Sequence, residues 1–387
     1  MTSDAPAIRT EMLGTCPLPT YQYDRILLGH GSGGGLTADL IAKVFVPGFG
    51  GDILAALEDQ ATVRLDGSPF DGFDGFDKLT AGQLRTGHNG ATLNGAPGPR
   101  IAFTTDSFVV RPLFFPGGDI GKLAVHGTVN DLAVGGAKPL FLSAAFILEE
   151  GLPLTDLKRI VASMRQACEE AGVVLVTGDT KVVDRGKGDQ VFITTSGIGV
   201  VPPGVSLSIR NARPGDKVLV SGTIGDHGIA VMSVREGIEF ETVLESDSAS
   251  LTDLTRVMLE ACPSIRCMRD PTRGGVSSTL NELSQSSNVG VSLVESAIPV
   301  RREVKGACEM LGLDPLYVAN EGKLIAVIPD EDAERLLSVM RDHPLGRNAA
   351  IIGQIVDDHR GMVVIRTLVG GDRVVTLLAG EQLPRIC

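Results

Sequence analysis

Three acidic residues stand beside Thr, Ser, Asn or Gly in separate parts of the sequence, and together they could bind a metal ion. They are Asp106 in TTDS, Asp131 in NDLAVGG and Asp179 in TGDTK. These surroundings predict that each acid lies where a strand or helix ends, and carboxylates there are the hard oxygen ligands that Mg²⁺ and a nucleoside triphosphate require. A single such acid is more often a helix cap, as we expect of Asp119. Three acids in one domain indicate a magnesium and ATP site, with Lys181 nearby to neutralise phosphate or act as a base.

A glycine-rich loop, GHGSGGG at residues 29–35, comes directly before the first helical pattern of the chain. Backbone N–H groups of such a loop at a helix N-terminus can cover phosphate groups. The loop fits the pattern GxGxxG but lacks the GK[ST] ending of a P-loop, so a flexible glycine turn remains an equal alternative. Its candidate phosphate ligands are Gly31, Ser32, Gly33 and Gly34.

Two further glycine turns occur in the second half of the chain, SGTIGDHG at 221–228 and RDPTRGG at 269–275. Both provide backbone N–H groups near a helix start, where anions bind readily, and Arg273 would suit a phosphate or serve as a capping residue. His227 is either a general acid or base or a local hydrogen-bonding residue. Glu321 precedes an apolar run and so lies at the entrance of a predicted strand, where catalysis is possible.

Six cysteines occur without a CxxC pair, which favours reduced thiols over disulfides or zinc ligands. Cys387 is the last residue and follows a segment without apolar periodicity, so it is on a predicted extended tail. It is not a prenylation signal, because that cysteine stands fourth from the end. A terminal thiol on such a tail is either a tethered substrate carrier or an inert surface group.

The elements that must position these residues follow an α/β pattern from residue 100 onward. Strands are predicted over 101–105, 140–148, 173–177 and 190–200, and helices over 119–134 and 154–171. Prolines and glycines at 202–204 and 213–215 break the pattern before a new strand begins at Lys217, and 387 residues suffice for two domains. The predicted divisions are a mobile arm over 1–25, a first domain over 26–205 with a loop-rich excursion over 66–99, a second domain over 206–372 and a flexible tail over 373–387.

Charge and hydropathy exclude two classes of partner. The chain has 35 Lys and Arg against 47 Asp and Glu, a net charge of −12, which argues against binding the phosphate backbone of nucleic acid. The first twenty residues lack an apolar core, and no apolar stretch approaches the roughly 18 to 20 residues that span a bilayer. We therefore expect a cytoplasmic protein without a membrane partner.

Taken together, these motifs resemble one family, the hydrogenase maturation factors called HypE, which belong to the superfamily of aminoimidazole ribonucleotide synthetase and selenophosphate synthetase. The resemblance covers about residues 26–387 and rests on TTDSFVV, TGDTKVV, RDPTRGGV, NEGKL and above all the terminal PRIC. It implies an α+β fold of two α/β domains. The N-terminal domain would form a dimeric β-barrel with its twin in a homodimer, and the C-terminal domain would be an α/β sandwich.

The resemblance also implies an activity, an ATP-dependent carbamoyl dehydratase. A partner carbamoyltransferase would load Cys387 with a carbamoyl group, ATP would drive its dehydration to a protein thiocyanate, and a maturation scaffold complex would carry the cyanide to the iron of a [NiFe]-hydrogenase. The implied ligands of Mg²⁺ and ATP are Asp106, Asp131 and Asp179, with Asp59, Gly178 and Thr180 as further ATP contacts. Lys181 and Glu321 would handle protons, and His227 is a third catalytic candidate.

Two other classes of function are compatible with the sequence. A kinase resembling selenophosphate synthetase would need a reactive cysteine or selenocysteine in the N-terminal glycine segment, and Cys16 lies too far from Gly31 to fit well. A non-catalytic scaffold that only presents Cys387 is disfavoured by the three acidic motifs.

Overall fold

The computed structural model describes residues 35–46, 58–64, 100–237, 244–377 and 386. Several predicted features lie outside these described residues, namely the arm over 1–25, the excursion over 66–99, Cys16, Cys387 and the glycine ligands Gly31, Ser32, Gly33 and Gly34.

The first domain is a five-stranded sheet with two helices on one face. The strand order is β1-β2-β7-β5-β6, with β5 and β6 parallel and the other pairs antiparallel. In chain order the elements are α1 (Gly35–Leu40, continued by a π-helical turn over Ile41–Phe45), β1 (Ala61–Arg64), β2 (Arg100–Phe108), β3 (Phe114–Phe115), β4 (Gly118–Asp119), α2 (Ile120–Val134), β5 (Lys138–Glu149), α3 (Leu154–Ala171), β6 (Val174–Val183) and β7 (Val191–Val201).

Helix α2 is the buried centre of this domain. Its start is fixed by Asp119, whose Oδ1 accepts hydrogen bonds from the backbone N–H groups of Gly121 and Lys122, as expected of a helix cap. Gly127 lets the helix lie directly on β2, because a Cβ there would come within 2.7 Å of the Phe108 ring. This close approach places the C-terminal turn of α2 beside the strand that carries Asp106.

The other face of the sheet is not covered by any described residue. Its strands alternate between buried and exposed side chains, and the exposed ones include Phe103 on β2, Phe141 on β5 and Ile198 on β7. Strand β6 is at the edge of the sheet, and its side chains are exposed over nearly its whole length. The result is a sheet with one packed face and one exposed face that is partly apolar.

The second domain is a seven-stranded sheet with helices on both faces, in the order β14-β13-β10-β12-β8-β11-β9. Val218 and Val220 of β8 pack towards one helical layer, and Leu219 between them packs towards the other. The elements are β8 (Lys217–Val220), α4 (Asp226–Glu236), α5 (Thr252–Ala261), β9 (Cys267–Arg269), α6 (Gly275–Ser287), β10 (Gly290–Val294), α7 (Arg302–Leu311), β11 (Ile325–Ile328), α8 (Asp330–Asp342), β12 (Ala350–Val356), β13 (Val363–Arg366) and β14 (Asp372–Val375).

The sequence correctly predicted four strands and two helices of the first domain from residue 100 onward and the strand that begins at Lys217, but it placed the acidic residues wrongly within their elements. None of the three acids ends its element, because β2 continues to Phe108, α2 to Val134 and β6 to Val183. The strands are longer than predicted because neighbouring strands keep pairing with them: β2 pairs with β7 as far as Phe108, and β6 pairs with β5 as far as Val183. None of the described helices has the length and apolar composition of a membrane span.

Candidate functional site

A cluster of carboxylates lies where the two domains meet. Asp59 precedes β1, Asp131 lies in the last turn of α2, and Asp270 directly follows β9 of the second domain. One carboxylate oxygen from each of these residues lies within 4.8 Å of the others. Three converging carboxylates are a donor set for a hard divalent cation such as Mg²⁺.

The electrostatics of this cluster favour a cation. Burial raises the pKa of Asp131 well above its usual range, and the charges of Asp270, Asp106 and Asp59 raise it further, although a hydrogen bond from the Thr104 hydroxyl to Oδ2 (2.8 Å) acts in the opposite direction. Burial also raises the pKa of Asp270, to about 6. Crowded carboxylates hold protons when no positive charge neutralises them, so a cation would bind here in competition with protons.

Asp106, on β2, lies close enough to this cluster for its charge to act on it. Its Oδ1 accepts a hydrogen bond from the backbone N–H of Ser107 (2.8 Å), and burial raises the pKa of its carboxyl group while the charge of Arg273 lowers it. The charge of Asp106 in turn raises the pKa values of Asp131 and Asp270. The structure therefore brings together three predicted residues, Asp59, Asp106 and Asp131.

Sequence reasoning missed two members of the site, Asp270 and Arg269. The Arg269 guanidinium forms ion pairs with Asp59 (Nε to Oδ2, 2.6 Å) and with Glu282 (Nη2 to Oε2, 3.0 Å), which fixes Asp59 from the second domain. The motif RDPTRGG was recognised only as an anion-binding turn. The missed signal was that Asp270 directly follows a short strand, Cys267–Arg269.

Glu321 is buried next to this cluster, with only 2% of its surface exposed. Its backbone N–H donates to Asp247 Oδ1 (3.0 Å), and its side-chain Oε1 has no hydrogen-bond partner among the described residues. Burial raises the pKa of Glu321 well above its usual range, and the charges of Asp106, Asp270 and Asp247 raise it further. A carboxyl group in this environment holds its proton more strongly than an exposed carboxyl group does.

The predicted residues of TGDTK lie elsewhere, on the edge strand β6. Asp106, Thr195, Ala144 and Gly178 are paired in turn across the sheet, so three strand spacings, about 14 Å, separate Asp106 from Gly178. Thr180 is on the same strand. A single chain therefore does not bring these residues to the carboxylate cluster.

Asp179 and Lys181 are also on β6, paired with Ala145 and the exposed Ile147 of β5. Their side chains are 67% and 73% exposed, and Lys181 Nζ lies 3.6 Å from Asp179 Oδ2. Both residues are therefore available to a further molecule, and their roles as metal ligand and proton carrier remain predictions.

His227, the third catalytic candidate, is completely buried at the start of α4. Its Nδ1 lies 2.8 Å from the Ser246 hydroxyl, and its Nε2 lies 2.6 Å from the carbonyl oxygen of Ile386 near the C-terminus. Burial lowers the pKa of the imidazole. Both ring nitrogens are occupied by protein groups, and its catalytic role remains a prediction.

A cavity of about 240 Å³ opens beside the cluster. Asp59, Gln60 and Thr62 line it, together with the apolar side chains of Val134, Val201 and Met268. A small molecule can therefore approach Asp59 from this side. The four cysteines in the described part of the chain, Cys168, Cys262, Cys267 and Cys308, are buried free thiols, as expected from the spacing.

Comparison with known proteins agrees with this architecture. Residues 87–201 match the family described as AIR synthase related protein, N-terminal domain, and residues 213–366 match the corresponding C-terminal domain. The carbamoyl dehydratase HypE of Azotobacter vinelandii is 55% identical over 358 residues, which cover 92% of this chain and 96% of the relative.

Two solved structures are also similar. A HypE–HypF complex contains a chain that is 47% identical, with a TM-score of 0.75, and the match covers 88% of this chain and 99% of the other. A hydrogenase maturation protein HypE in complex with ATP is 45% identical, with a TM-score of 0.72, over 94% of this chain and 100% of the other.

Proposed function

Because the chain belongs to the HypE family of carbamoyl dehydratases, we propose that its carboxylate cluster is where ATP is used to dehydrate a carbamoyl group carried by Cys387. The protein is an ATP-dependent dehydratase of hydrogenase maturation. The observation that carries the assignment of the site is the convergence of Asp59, Asp131 and Asp270 beside the buried Glu321.

The chemistry explains why ATP is needed. The S-carbamoyl cysteine, R–S–C(=O)–NH₂, and ATP give the thiocyanate R–S–C≡N, ADP and phosphate, so the amide loses its oxygen and both N–H protons. When bound, ATP supplies the phosphoryl group that makes this oxygen a leaving group, and Mg²⁺ neutralises phosphate charge. The chain must therefore provide a cation site, groups that accept protons and a way to hold the thiol nearby.

The cation site fits the residues present. Asp131 and Asp270 would be the ligands of Mg²⁺, with Asp106 beside them, because all three are carboxylates and their mutual repulsion is relieved by positive charge. Asp59 is held by Arg269 and would orient the cluster from the cavity side. The assignment of Asp179 as a further ligand depends on a second protomer.

Glu321 would accept a proton from the carbamoyl nitrogen. A carboxyl group whose pKa is raised by burial is a stronger base in its ionised form than an exposed carboxylate. Its unpartnered Oε1 leaves an acceptor position for an N–H group. The hydrogen bond from the Glu321 backbone to Asp247 holds this residue in place during the reaction.

We further propose a homodimer in which the exposed faces of two first-domain sheets meet and form the expected β-barrel. In support, Phe103, Phe141 and Ile198 are exposed on that face, and contiguous exposed apolar surface marks interfaces. The edge strand β6 would then gain a neighbour. Asp179 and Lys181 lie on this face, so the dimer would carry them to the partner's surface.

The remaining assignments concern location and partners. A carbamoyltransferase would load Cys387, as the HypE–HypF complex of a similar protein suggests, and a scaffold complex would receive the cyanide for the hydrogenase iron. Buried free thiols suit the reduced cytoplasm, which also supplies ATP.

Intact-protein mass spectrometry tests the assignment of the site. Carbamoylated wild-type protein given ATP and Mg²⁺ should lose the mass of one water, whereas Asp131→Asn should remain carbamoylated, because it lacks a cation ligand. The exposed Asp358→Asn is the matched control and should react like wild type. Dehydration by Asp131→Asn at the wild-type rate would remove the cluster from the mechanism.

A further inference from the structure

The penultimate residue, Ile386, lies within the body of the protein. Its side chain is 3% exposed and packs in the core of the first domain with Phe108, Val110 and Leu113. Its backbone forms an antiparallel bridge with Val110. The C-terminus is therefore anchored one residue before Cys387.

The hydrogen-bond partners of His227 determine which of its two ring nitrogens carries the proton. A carbonyl oxygen only accepts hydrogen bonds, so Nε2, 2.6 Å from Ile386 O, carries the ring proton. The neutral ring then has a bare Nδ1, which accepts from the Ser246 hydroxyl. The Ser246 oxygen in turn accepts from the backbone N–H of Ser248 (3.1 Å). Each group has one possible role, and the chain of bonds ends at Ile386.

Ser246 is itself held between the two domains. Its backbone N–H donates to the carbonyl oxygen of Pro116 in the first domain (2.8 Å). Gly117 packs so closely that a Cβ there would come within 2.8 Å of the Ser246 backbone. The next residue, Asp247, accepts the hydrogen bond from the Glu321 backbone. One short segment therefore holds both the residue before Cys387, through His227, and the proposed proton acceptor.

We propose that Ser246 and His227 form a latch for the C-terminal tail: their hydrogen bonds hold the backbone of Ile386. Cys387 is thereby kept at the seam, the boundary between the two domains where Glu321 also lies. This rests on the proposed function, since the docked thiol would carry the carbamoyl group. His227 acts as a positioning residue: it holds the peptide next to the carrier and leaves the reacting atoms to other groups.

Labelling of Cys387 with iodoacetamide tests the latch without any ATP turnover. Peptide mass mapping would follow the rate at this residue in the full-length protein. His227→Leu and Ile386→Asp should label several-fold faster than wild type, and Ser246→Ala should lie between. His227→Gln keeps an N–H donor and should recover part of the protection. The matched control is His359→Gln, because His359 Nε2 also meets a carbonyl oxygen, that of Val291, in a contact remote from the tail.

A second measurement separates the latch from general damage to the fold. Once carbamoylated by the partner enzyme, His227→Leu should dehydrate about tenfold more slowly in a single turnover, while its affinity for ATP and Mg²⁺ stays at the wild-type value. Labelling of all the folded variants at the wild-type rate would overturn the latch. If the buried His227→Leu fails to fold, the labelling rate of Ile386→Asp still decides whether the latch exists. If Cys387 of the wild-type protein is labelled slowly but the carbamoylated protein never loses the mass of one water with ATP and Mg²⁺, the proposed function is refuted and the latch is still supported.

Discussion

The side-chain amide of Asn130 donates a hydrogen bond to the carbonyl oxygen of Glu321, 3.2 Å away across the seam between the domains. The same amide also donates to the carbonyl oxygen of Ala249, and its Oδ1 accepts from the backbone N–H of Leu251. Asn130 is the residue before Asp131. Asn130 and Asp131 at the end of α2 therefore supply both a carboxylate of the cluster and a bracket, the hydrogen bonds of the Asn130 side chain that hold the Glu321 backbone beside it.

Asn130→Ala should uncouple these two residues. Its removal leaves buried backbone groups without partners, which should lower the free energy of unfolding by about 1–3 kcal/mol. Because Glu321 loses one of the hydrogen bonds that hold its backbone and keeps that to Asp247, dehydration of the carbamoylated thiol should slow more than ATP binding weakens. Urea unfolding and single-turnover mass spectrometry measure the two effects.

Gln166→Ala is the control for this substitution, since Gln166 also uses its side-chain amide but at an exposed position on α3. It should change neither quantity. An Asn130→Ala protein that is destabilised but dehydrates at the wild-type rate would separate the bracket from the chemistry.

Much of the fold could be predicted from the sequence, because its signals are local. The alternation of apolar and polar residues in β7 and the spacing of apolar residues in α3 indicate directly which face of each element is buried. The length of β6 could not be predicted, because Gly178 and Asp179 usually end strands, and only pairing with β5 keeps them extended. Lys181 therefore lies within β6, whereas the sequence predicted a strand that ends at residue 177.

The site was partly predictable on different grounds. The sequence predicted Asp106 and Asp131 as ligands from their neighbouring residues. Their proximity to Asp270 depends on how the two domains pack, which the spacing of residues along the chain does not reveal. His227 was recognised as a histidine in a glycine turn. Its contact with Ile386 joins residues 159 positions apart and required the folded chain.

The raised pKa of Asp270 predicts how stability depends on pH. Its ordinary value of 3.8 rises to about 6 in the folded protein, so between these values the folded state binds more protons than the unfolded state. Stability should therefore fall as the pH rises through this window, by on the order of 1–3 kcal/mol. Urea unfolding of the metal-free protein from pH 4 to about 7 measures the slope.

Two variants decide whether Asp270 causes this slope. Asp270→Asn should make it shallower, because the amide does not titrate while Asp131 and Glu321, whose pKa values are also raised, still do. The exposed Asp358→Asn should leave it unchanged. A slope in Asp270→Asn as steep as that of the wild type would assign the effect entirely to the other buried carboxyl groups.

The proposed dimer predicts complementation between two inactive variants. Lys181→Ala and Asp131→Asn should each block dehydration. If Lys181 of one protomer serves the cluster of the other, a mixed dimer keeps one site with both residues intact. With random exchange half of the dimers are mixed, so activity should return to roughly one quarter of the wild-type value. Separately purified variants that are mixed, unfolded and refolded together provide the assay, and no recovery would exclude a shared site.

A single added methyl group at Gly322 should have a large effect on stability and on dehydration. It follows Glu321, and a Cβ at Gly322 would overlap the carbonyl oxygen of Asp247, a backbone atom that cannot turn aside. Gly322→Ala must therefore push the Asp247 segment away from Glu321, which breaks the hydrogen bond between them and moves the residues that hold His227. We expect a loss of about 2–4 kcal/mol in the free energy of unfolding, together with slower dehydration.

The matched control is Gly306→Ala in the middle of α7, where a Cβ would meet no atom within 4 Å. Because alanine loses less backbone entropy than glycine in a helix, this variant should gain about 0.5–1 kcal/mol. The opposite signs distinguish a steric effect at the seam from a general response to glycine replacement. If Gly322→Ala unfolded at the wild-type urea concentration, the segment would be able to yield, and it could not serve as the rigid support that Glu321 and the docked tail require.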